Sequence, residues 1–520
     1  MELYNYQQDS VNTTDHNKKG IIVLPTGTGK TRIQSAIIEK DIQNHPNQFR
    51  MYVVNAPRIL LTFQLLTEMF KHLIYLGDIR YHFVHSGNNF DESDLDDFVV
   101  KFNQENNTNI IPSPNDNGTS VESIKDIIKT SKELNIPLIL FSTYNSAPRI
   151  STATQETNSK ISIIFNDEAH YLVQPKFHDI IDLLKTDRLY FFTATLRHKP
   201  SDEGRGMNNV EKYGRVLKEL KPIDAIEKGK MVRPRMVWLE TDGVKTDEDL
   251  EKSFNIVLLS LYKQHKQHFE ENHPTLNPKI LVSTNGIGQI KPFLESNEYQ
   301  EFRNMGVDIF ATHTKLPKDC NINGEAVNRS KFLTTLKEYG KNPDKKLIVL
   351  HYDILTEGLD VPGFTSCIPF RNLQKSDFVQ TFGRCSRLDD RDREKFKNFI
   401  FPTPIPNVPS NWFVDTEWNK PFAYVIFPHI TLTNKDDVAS MVDIVEELRT
   451  WDYELSQMIN EKSDPRGNDN EPEEGEDDPS TKGRTIRQIF SIVEDRRIAS
   501  LSPIDMYQEN LEQYDENYNF

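Results

Sequence analysis

The chain has 520 residues, 37% hydrophobic and 27% charged, which suits two or three domains with sizeable cores and some disordered segments. Its formal net charge of −16, from 78 acidic and 62 basic residues, argues against attachment to nucleic acid by bulk charge and leaves room only for a local basic groove. Three scattered cysteines (Cys320, Cys367, Cys385) argue against a disulfide framework or a cysteine-rich zinc site, and no secretory signal or bilayer-length apolar run is present, so we expect a cytoplasmic protein, or a nuclear one in a nucleated cell, neither secreted nor held in a membrane.

Gln7 carries an amide that could read an adenine edge, or could be a solvated N-terminal glutamine. Gly20 to Leu24 is a short β-branched run that predicts a buried strand. It opens into Pro25-Thr26-Gly27-Thr28-Gly29-Lys30-Thr31, a glycine turn, and then a helix with one apolar face. Strand, glycine loop, Lys-Thr and helix is a physical recipe for holding a triphosphate. Glycines let backbone N–H groups approach the oxygens, Lys30 reaches the β- and γ-phosphates, and the Thr31 hydroxyl sits on Mg²⁺. The full pattern has a glycine where this chain has Leu24. Taken alone, the stretch also reads as a glycine turn with a chance Lys-Thr.

Met51 to Ala56 predicts a second strand, capped by Pro57 and Arg58 ahead of an amphipathic helix over 59–71. Arg58 at that helix start could take a nucleic-acid phosphate or simply be solvated. Tyr81 to Val84 predicts another strand. Residues 88 to about 124 are rich in Asn, Asp, Ser and Pro and read as an insertion or mobile loop. Pro137 to Phe141 returns to strand character, followed by Thr143 and Tyr144. Ile161 to Asn166 is a near-continuous apolar strand that ends in Asp167-Glu168-Ala169-His170. Two adjacent carboxylates there are costly without a compensating cation. Asp167 can hold a hydrated Mg²⁺ and Glu168 can activate an attacking water; the alternative is an ordinary acidic strand end. Leu189 to Phe192 runs into Thr193-Ala194-Thr195, whose hydroxyls can bond to the acidic pair or form a plain turn.

Residues 213–236 read as connecting structure with a helical stretch at 222–228, and the linker between large domains is expected near 237–248. The alternation then restarts: a helix over 249–270, strands at 279–282, 307–311, 346–350 and 365–369, and a last strand over 422–432. Two runs of alternating strand and helix imply an α/β protein with two parallel-sheet domains. Gln380, Gly383, Arg384 and Arg387 are spaced to share one helical face, turned to a polar cleft or to solvent. A helix is expected over 436–459. Residues 461–482, with nine acidic and three basic residues, read as a disordered linker.

Gly27 to Thr31, Asp167 to His170, Thr193 to Thr195 and Gln380…Arg387 stand in the order seen in superfamily 2 helicases. Over residues 4–430 the chain resembles the DEAD/DEAH-type group with type III restriction-enzyme-like motor cores. The resemblance implies two tandem RecA-like domains (1–236 and 249–430) with ATP in the cleft between them. A small C-terminal extension follows: a helix (431–460), the acidic linker and a tail (483–520). It implies Gln7 at the adenine and Thr26 to Thr31 around the phosphates and Mg²⁺, with Lys30 and Glu168 catalytic. Asp167 falls on the metal, and His170, Thr193 and Thr195 couple the site to domain motion. Gly358 and Asp360 resemble the motif that contacts nucleotide from the second domain; Arg384 and Arg387 resemble arginine fingers, with Gln380 beside them. Pro57, Arg58, Thr143, Tyr144, Ser283, Thr284 and Thr356 fall where the family touches nucleic-acid backbone. The expected activity is an ATP-dependent helicase or translocase acting on DNA rather than RNA. The alternatives are an ATP-gated duplex clamp, or the motor subunit of a larger nuclease or transcription assembly docked through the tail.

Overall fold

The computed structural model describes residues 3–84, 100, 103–104, 120–200, 204–240, 253–272, 275–352, 363–371, 373, 375–395, 419–429, 444, 447–448 and 450–451. The chain divides into two compact units, with the main division between Lys221 and Pro222.

The first unit is built on seven strands: β1 (Lys19–Val23), β2 (Met51–Ala56), β3 (Arg80–Val84), β4 (Leu138–Thr143), β5 (Ile163–Asn166), β6 (Leu189–Thr193) and β7 (Arg215–Glu219). Their order is β3-β4-β2-β5-β6-β1-β7, and every pairing is parallel. The near-continuous apolar runs follow from this: a parallel strand is covered on both faces, so β2 and β4 are buried at every position. Three helices matter for the site, α1 (Asn5–His16), α2 (Lys30–Asn44) and α3 (Ile59–Leu73). Parallel strands all exit at one edge. The turns after β1, β2, β4, β5 and β6 therefore emerge side by side, although they lie far apart in sequence.

The edge strand β7 falls where the sequence reads as connecting structure. Its exposed, charged alternation hides it from an apolar-run criterion. Gly20 on β1 lets it approach; a Cβ there would collide with the Leu217 side chain.

The second unit holds β8 (Arg233–Glu240), β9 (Lys279–Ser283), β10 (Val307–Thr312), β11 (Cys320–Ile322), β12 (Glu325–Val327), β13 (Lys346–His351), β14 (Ser366–Pro369) and β15 (Phe422–His429). Their order is β12-β11-β10-β13-β9-β14-β15-β8. The sheet is parallel except for the β11–β12 hairpin, which adds antiparallel to β10. Helices Phe254–Asn272, Ile287–Leu294 and Asn297–Asn304 bury Leu258, Tyr262, Phe293 and Phe302 in its core.

Residues 233–240, expected as connection and linker, form the outermost strand of this second sheet and pair with β15 along their whole length. Strand β8 thus belongs to the unit that begins at Pro222, and the first unit ends earlier than residue 236. Residues 222–227 are helical, as their pattern predicts. Most of the 88–124 stretch lies outside the described residues, and a helix starts at Val121, capped by the Ser120 hydroxyl. Residues 461–520 and most of the helix expected over 436–459 also lie outside them.

Candidate nucleotide site

Strand β1 ends at Val23, in register with Thr193 on β6, and Leu24 N donates to Thr193 O at 2.9 Å. Leu24 is fully buried, so the residue that departs from the glycine pattern extends the strand's apolar plug. Gly27 and Gly29 then take φ of 85° and 89°, left-handed values that favour glycine. Gly29 is the N-cap of α2. A Cβ there would also run into the Gln7 amide. Lys30 and Thr31 are thus the first two residues of a helix whose N–H groups open toward the loop.

Helix α1 braces this loop. The Tyr6 hydroxyl and Gln7 Nε2 both donate to Thr28 O, at 2.7 and 3.0 Å. Gln7 Oε1 accepts from Tyr4 N at 3.1 Å. Gln7 is therefore buried and holds the loop's backbone, in place of the solvated side chain that its position in the sequence also allowed.

One line of polar contacts runs from the loop through the acidic pair to the Thr-Ala-Thr turn. Lys30 Nζ lies 3.2 Å from Glu168 Oε1, with both side chains about 10% exposed. Glu168 Oε2 is 3.5 Å from His170 Nδ1. That nitrogen is 3.1 Å from the Thr193 hydroxyl, which donates to Thr195 O at 2.8 Å. Since Thr193 commits its proton to Thr195 O, Nδ1 of His170 is the nitrogen that carries hydrogen. Burial pushes the His170 imidazole down to about 4, so it is neutral near pH 7. Glu168 itself has a left-handed backbone, φ 48° and ψ 49°, a conformation that costs energy in a non-glycine residue and marks a place worth a functional hypothesis.

Asp167 is completely enclosed. Burial, and then the neighbouring Glu168 charge, raise its carboxyl well above the usual carboxylate range. Gln34, one turn beyond Lys30 on α2, donates Nε2 to Asp167 Oδ1 at 3.1 Å. The backbone is pinned from both sides: Asp167 N donates to Asn55 O at 2.8 Å and the Tyr144 hydroxyl donates to Asp167 O at 2.6 Å. The Thr31 hydroxyl, at the second residue of α2, and the Asp167 carboxylate are hard oxygens that suit Mg²⁺, an ion held by one or two carboxylates together with phosphate oxygens. Among the described residues no three His, Cys, Asp or Glu side chains gather into a protein-only cage. Three buried polar atoms around the loop, Thr26 Oγ1, Thr195 Oγ1 and Gln34 Oε1, have no hydrogen-bond partner among the described residues.

The residues expected on nucleic acid divide. Arg58 is exposed at the start of α3, directly after buried Pro57. Thr143 is buried and bonds to the Ser146 hydroxyl at 3.0 Å. Tyr144 is fully buried with its hydroxyl on Asp167, so its side chain braces the acidic pair and offers no face to a strand of nucleic acid. Ser283, the last residue of β9, and Thr284 are buried; the Ser283 hydroxyl is 3.2 Å from His351 Nε2 and Thr284 Oγ1 donates to His351 O at 3.1 Å. Thr356, Gly358 and Asp360 lie outside the described residues.

In the second unit the helix carrying Gln380 and Arg384 spans Lys375–Cys385, and both side chains are buried. Arg387 does not continue that helical face. The helix stops because the chain after it is captured edge-on: Arg387 bridges Met231, Val232 N donates to Ser386 O at 2.8 Å, and Lys420 Nζ donates to Arg387 O at 2.5 Å.

His351, also fully buried, is pushed down to about 3 by burial and by the Arg371 and Arg384 charges. Its folded value lies below the unfolded one of about 6.5, so the unfolded chain binds the extra proton between those values. The neutral buried form is fully compatible with folding above pH 6.5, and stability falls as pH drops below that, by about 1.4 kcal/mol per pH unit until about pH 3. His351→Gln is expected to make this slope shallower by about 1.4 kcal/mol per pH unit, leaving the like contribution of buried His170, as read from urea melts of parent and variant at pH 7 and pH 5.

Residues 1–198 match the family model of the type III restriction enzyme res subunit. Among solved structures, the chain is similar to the ATP-dependent Type ISP restriction-modification enzyme LlaBIII bound to DNA. The TM-score is 0.60 at 18% identity, over 96% of this chain and 33% of that one. It is also similar to a nuclease-deletion mutant of the Type ISP enzyme LlaGI in complex with a DNA substrate mimic, at TM-score 0.54 and 19% identity, over 88% of this chain and 29% of that one. The chain thus spans about a third of the length of these enzymes. No curated protein matches it in sequence. The residues that match the res-subunit model, 1–198, are those that carry the glycine loop and the acidic pair joined at the exit edge of a parallel sheet, and the similarity to the Type ISP enzymes extends the shared α/β fold into the second unit.

Proposed function

We propose that this chain hydrolyses ATP to drive movement along nucleic acid, DNA in preference to RNA. The observation that carries the reading is the line Lys30–Glu168–His170–Thr193, which ties a phosphate-binding loop to an acidic pair and to the strand exit beyond it. Thr26 to Thr31 bind the triphosphate through backbone N–H groups and Lys30, with Gln7 on the adenine side of the loop. Mg²⁺, held by Thr31 and Asp167, would neutralise phosphate charge. Glu168 orients the attacking water and accepts its proton. Neutral His170 passes the state of Glu168 to Thr193 and Thr195 as a change in hydrogen bonding, without gaining charge itself.

Arg384 and Arg387, with Gln380, bring positive charge to the γ-phosphate from the second unit, together with Gly358 and Asp360. An arginine finger is worth on the order of 10³–10⁵ in rate in other phosphate-cleaving systems. For Arg387→Ala we expect ATP turnover to fall by about a thousandfold with nucleic-acid binding retained; an undiminished rate counts against the finger role. Arg58 and Thr356 are assigned to the sugar-phosphate backbone, contacts that carry little sequence information and suit a motor that must release and rebind, while Thr143, Ser283 and Thr284, buried and hydrogen-bonded within the protein, shape the strand exits beside it.

The deciding experiment measures ATPase rate with single- and double-stranded DNA and RNA, followed by strand displacement with and without ATP. Stimulation by DNA with ATP-dependent displacement or translocation supports the reading. Stimulated turnover without movement turns it into the duplex clamp. No stimulation by any nucleic acid removes it.

A further inference from the structure

Lys30 and Gln34 lie four residues apart on α2, hence on one face one turn apart, and each donates to one member of the acidic pair. Lys30 has an evident role at a triphosphate. Gln34 has none in the reading above. It is fully buried at a helix position next to apolar Ile33, where Met or Leu would fill the space without burying an amide.

Its hydrogen bonding is half complete. The amide turns its nitrogen to Asp167, Nε2 donating to Oδ1 at 3.1 Å. That leaves Oε1, which has no partner among the described residues. A buried carbonyl oxygen with an empty acceptor site, on a side chain already bonded to the carboxylate assigned to the cation, has the chemistry to receive a water hydrogen. Mg²⁺ dehydrates reluctantly and keeps several waters, and outer-shell groups that fix ligands and waters govern how tightly such ions are held.

We infer that Gln34 is a positioning residue for the divalent cation: Nε2 sets the orientation of the Asp167 carboxylate, and Oε1 accepts a hydrogen bond from a water of the ion's shell. This rests on the nucleotide-site reading proposed above. It makes Gln34 part of the ion's outer shell and not a ligand, so its removal weakens the ion's hold without touching the triphosphate.

The test uses the full chain and thermal melting in the presence of a non-hydrolysable ATP analogue, with Mg²⁺ varied from chelator to excess. For the parent, the analogue should raise the melting temperature in a Mg²⁺-dependent way. For Gln34→Met the Mg²⁺ concentration at half effect should rise about tenfold or more, while analogue binding in chelator stays at the parent level. Gln34→Asn keeps an amide but withdraws it by one methylene, and should show the same displacement if the Met variant folds poorly. A Mg²⁺ curve that overlays the parent's in either folded variant overturns the role of Gln34, as does a loss of melting temperature that is equal with and without the ion. A parent that shows no Mg²⁺-dependent protection at all overturns the nucleotide-site reading beneath it, which separates the two failures.

Discussion

Lys30→Ala is expected to abolish ATP hydrolysis, with turnover reduced by at least about 10²–10³. The ammonium sits at the first residue of α2 and is 3.2 Å from a carboxylate in a site where both side chains are about 10% exposed. So little water reaches it that its charge is screened weakly. Two effects then add in the variant. The cation that meets the phosphates is gone, and Glu168 loses the ion-pair partner that holds its carboxylate in place. Removing one partner of an enclosed ion pair also costs stability, up to about 3–5 kcal/mol, so the variant's melting curve should be recorded beside its single-turnover rate. A Lys30→Ala protein that folds and retains full turnover would show that the phosphate assignment is wrong.

Glu168→Gln should separate binding from chemistry. The amide keeps the size of the side chain and an oxygen toward Lys30, and it tolerates the left-handed backbone as well as Glu does. It cannot take a proton from water. Loss of a general base typically costs 10²–10⁴ in rate, so we expect hydrolysis slowed by about that factor with ATP affinity unchanged. Binding of a fluorescent ATP analogue and the hydrolysis rate should be measured on the same preparation. Equal affinity with equal turnover would remove Glu168 from the base role. A large loss of affinity would instead mark Glu168 as part of the phosphate cradle.

The places of Lys30, Asp167, Glu168 and Thr193 at strand exits are legible because each sits where an apolar run stops, and a β-branched run that breaks off at glycine or at carboxylates marks the exit of a buried strand. Strands β7 and β8 were not legible for the opposite reason. They are edge strands, so one side of each lacks a neighbour and their sequences carry charges that a central strand could not. The β11–β12 hairpin is too short for a periodic signal. Spacing alone puts Arg387 on a helix face, yet spacing says nothing about where a helix ends; here the chain leaves it at Cys385, and the next carbonyl, that of Ser386, accepts from Val232 N. Gln34 and Tyr144 had no signal except position: one lies a helical turn after Lys30, the other just past a strand exit.

The order of residues along the chain was enough to establish the α/β class, the glycine loop and the acidic pair, because these depend on local steric and hydropathic patterns that any short window contains. Which side chains meet depends on strand order, and strand order is set by packing between segments more than a hundred residues apart. Only the folded sheet, with β6 between β1 and β5, brings Thr193 and Glu168 to Lys30. Only the packed core turns Tyr144 from a candidate nucleic-acid contact into a brace behind Asp167, since burial is a property of what surrounds a residue and not of the residue itself.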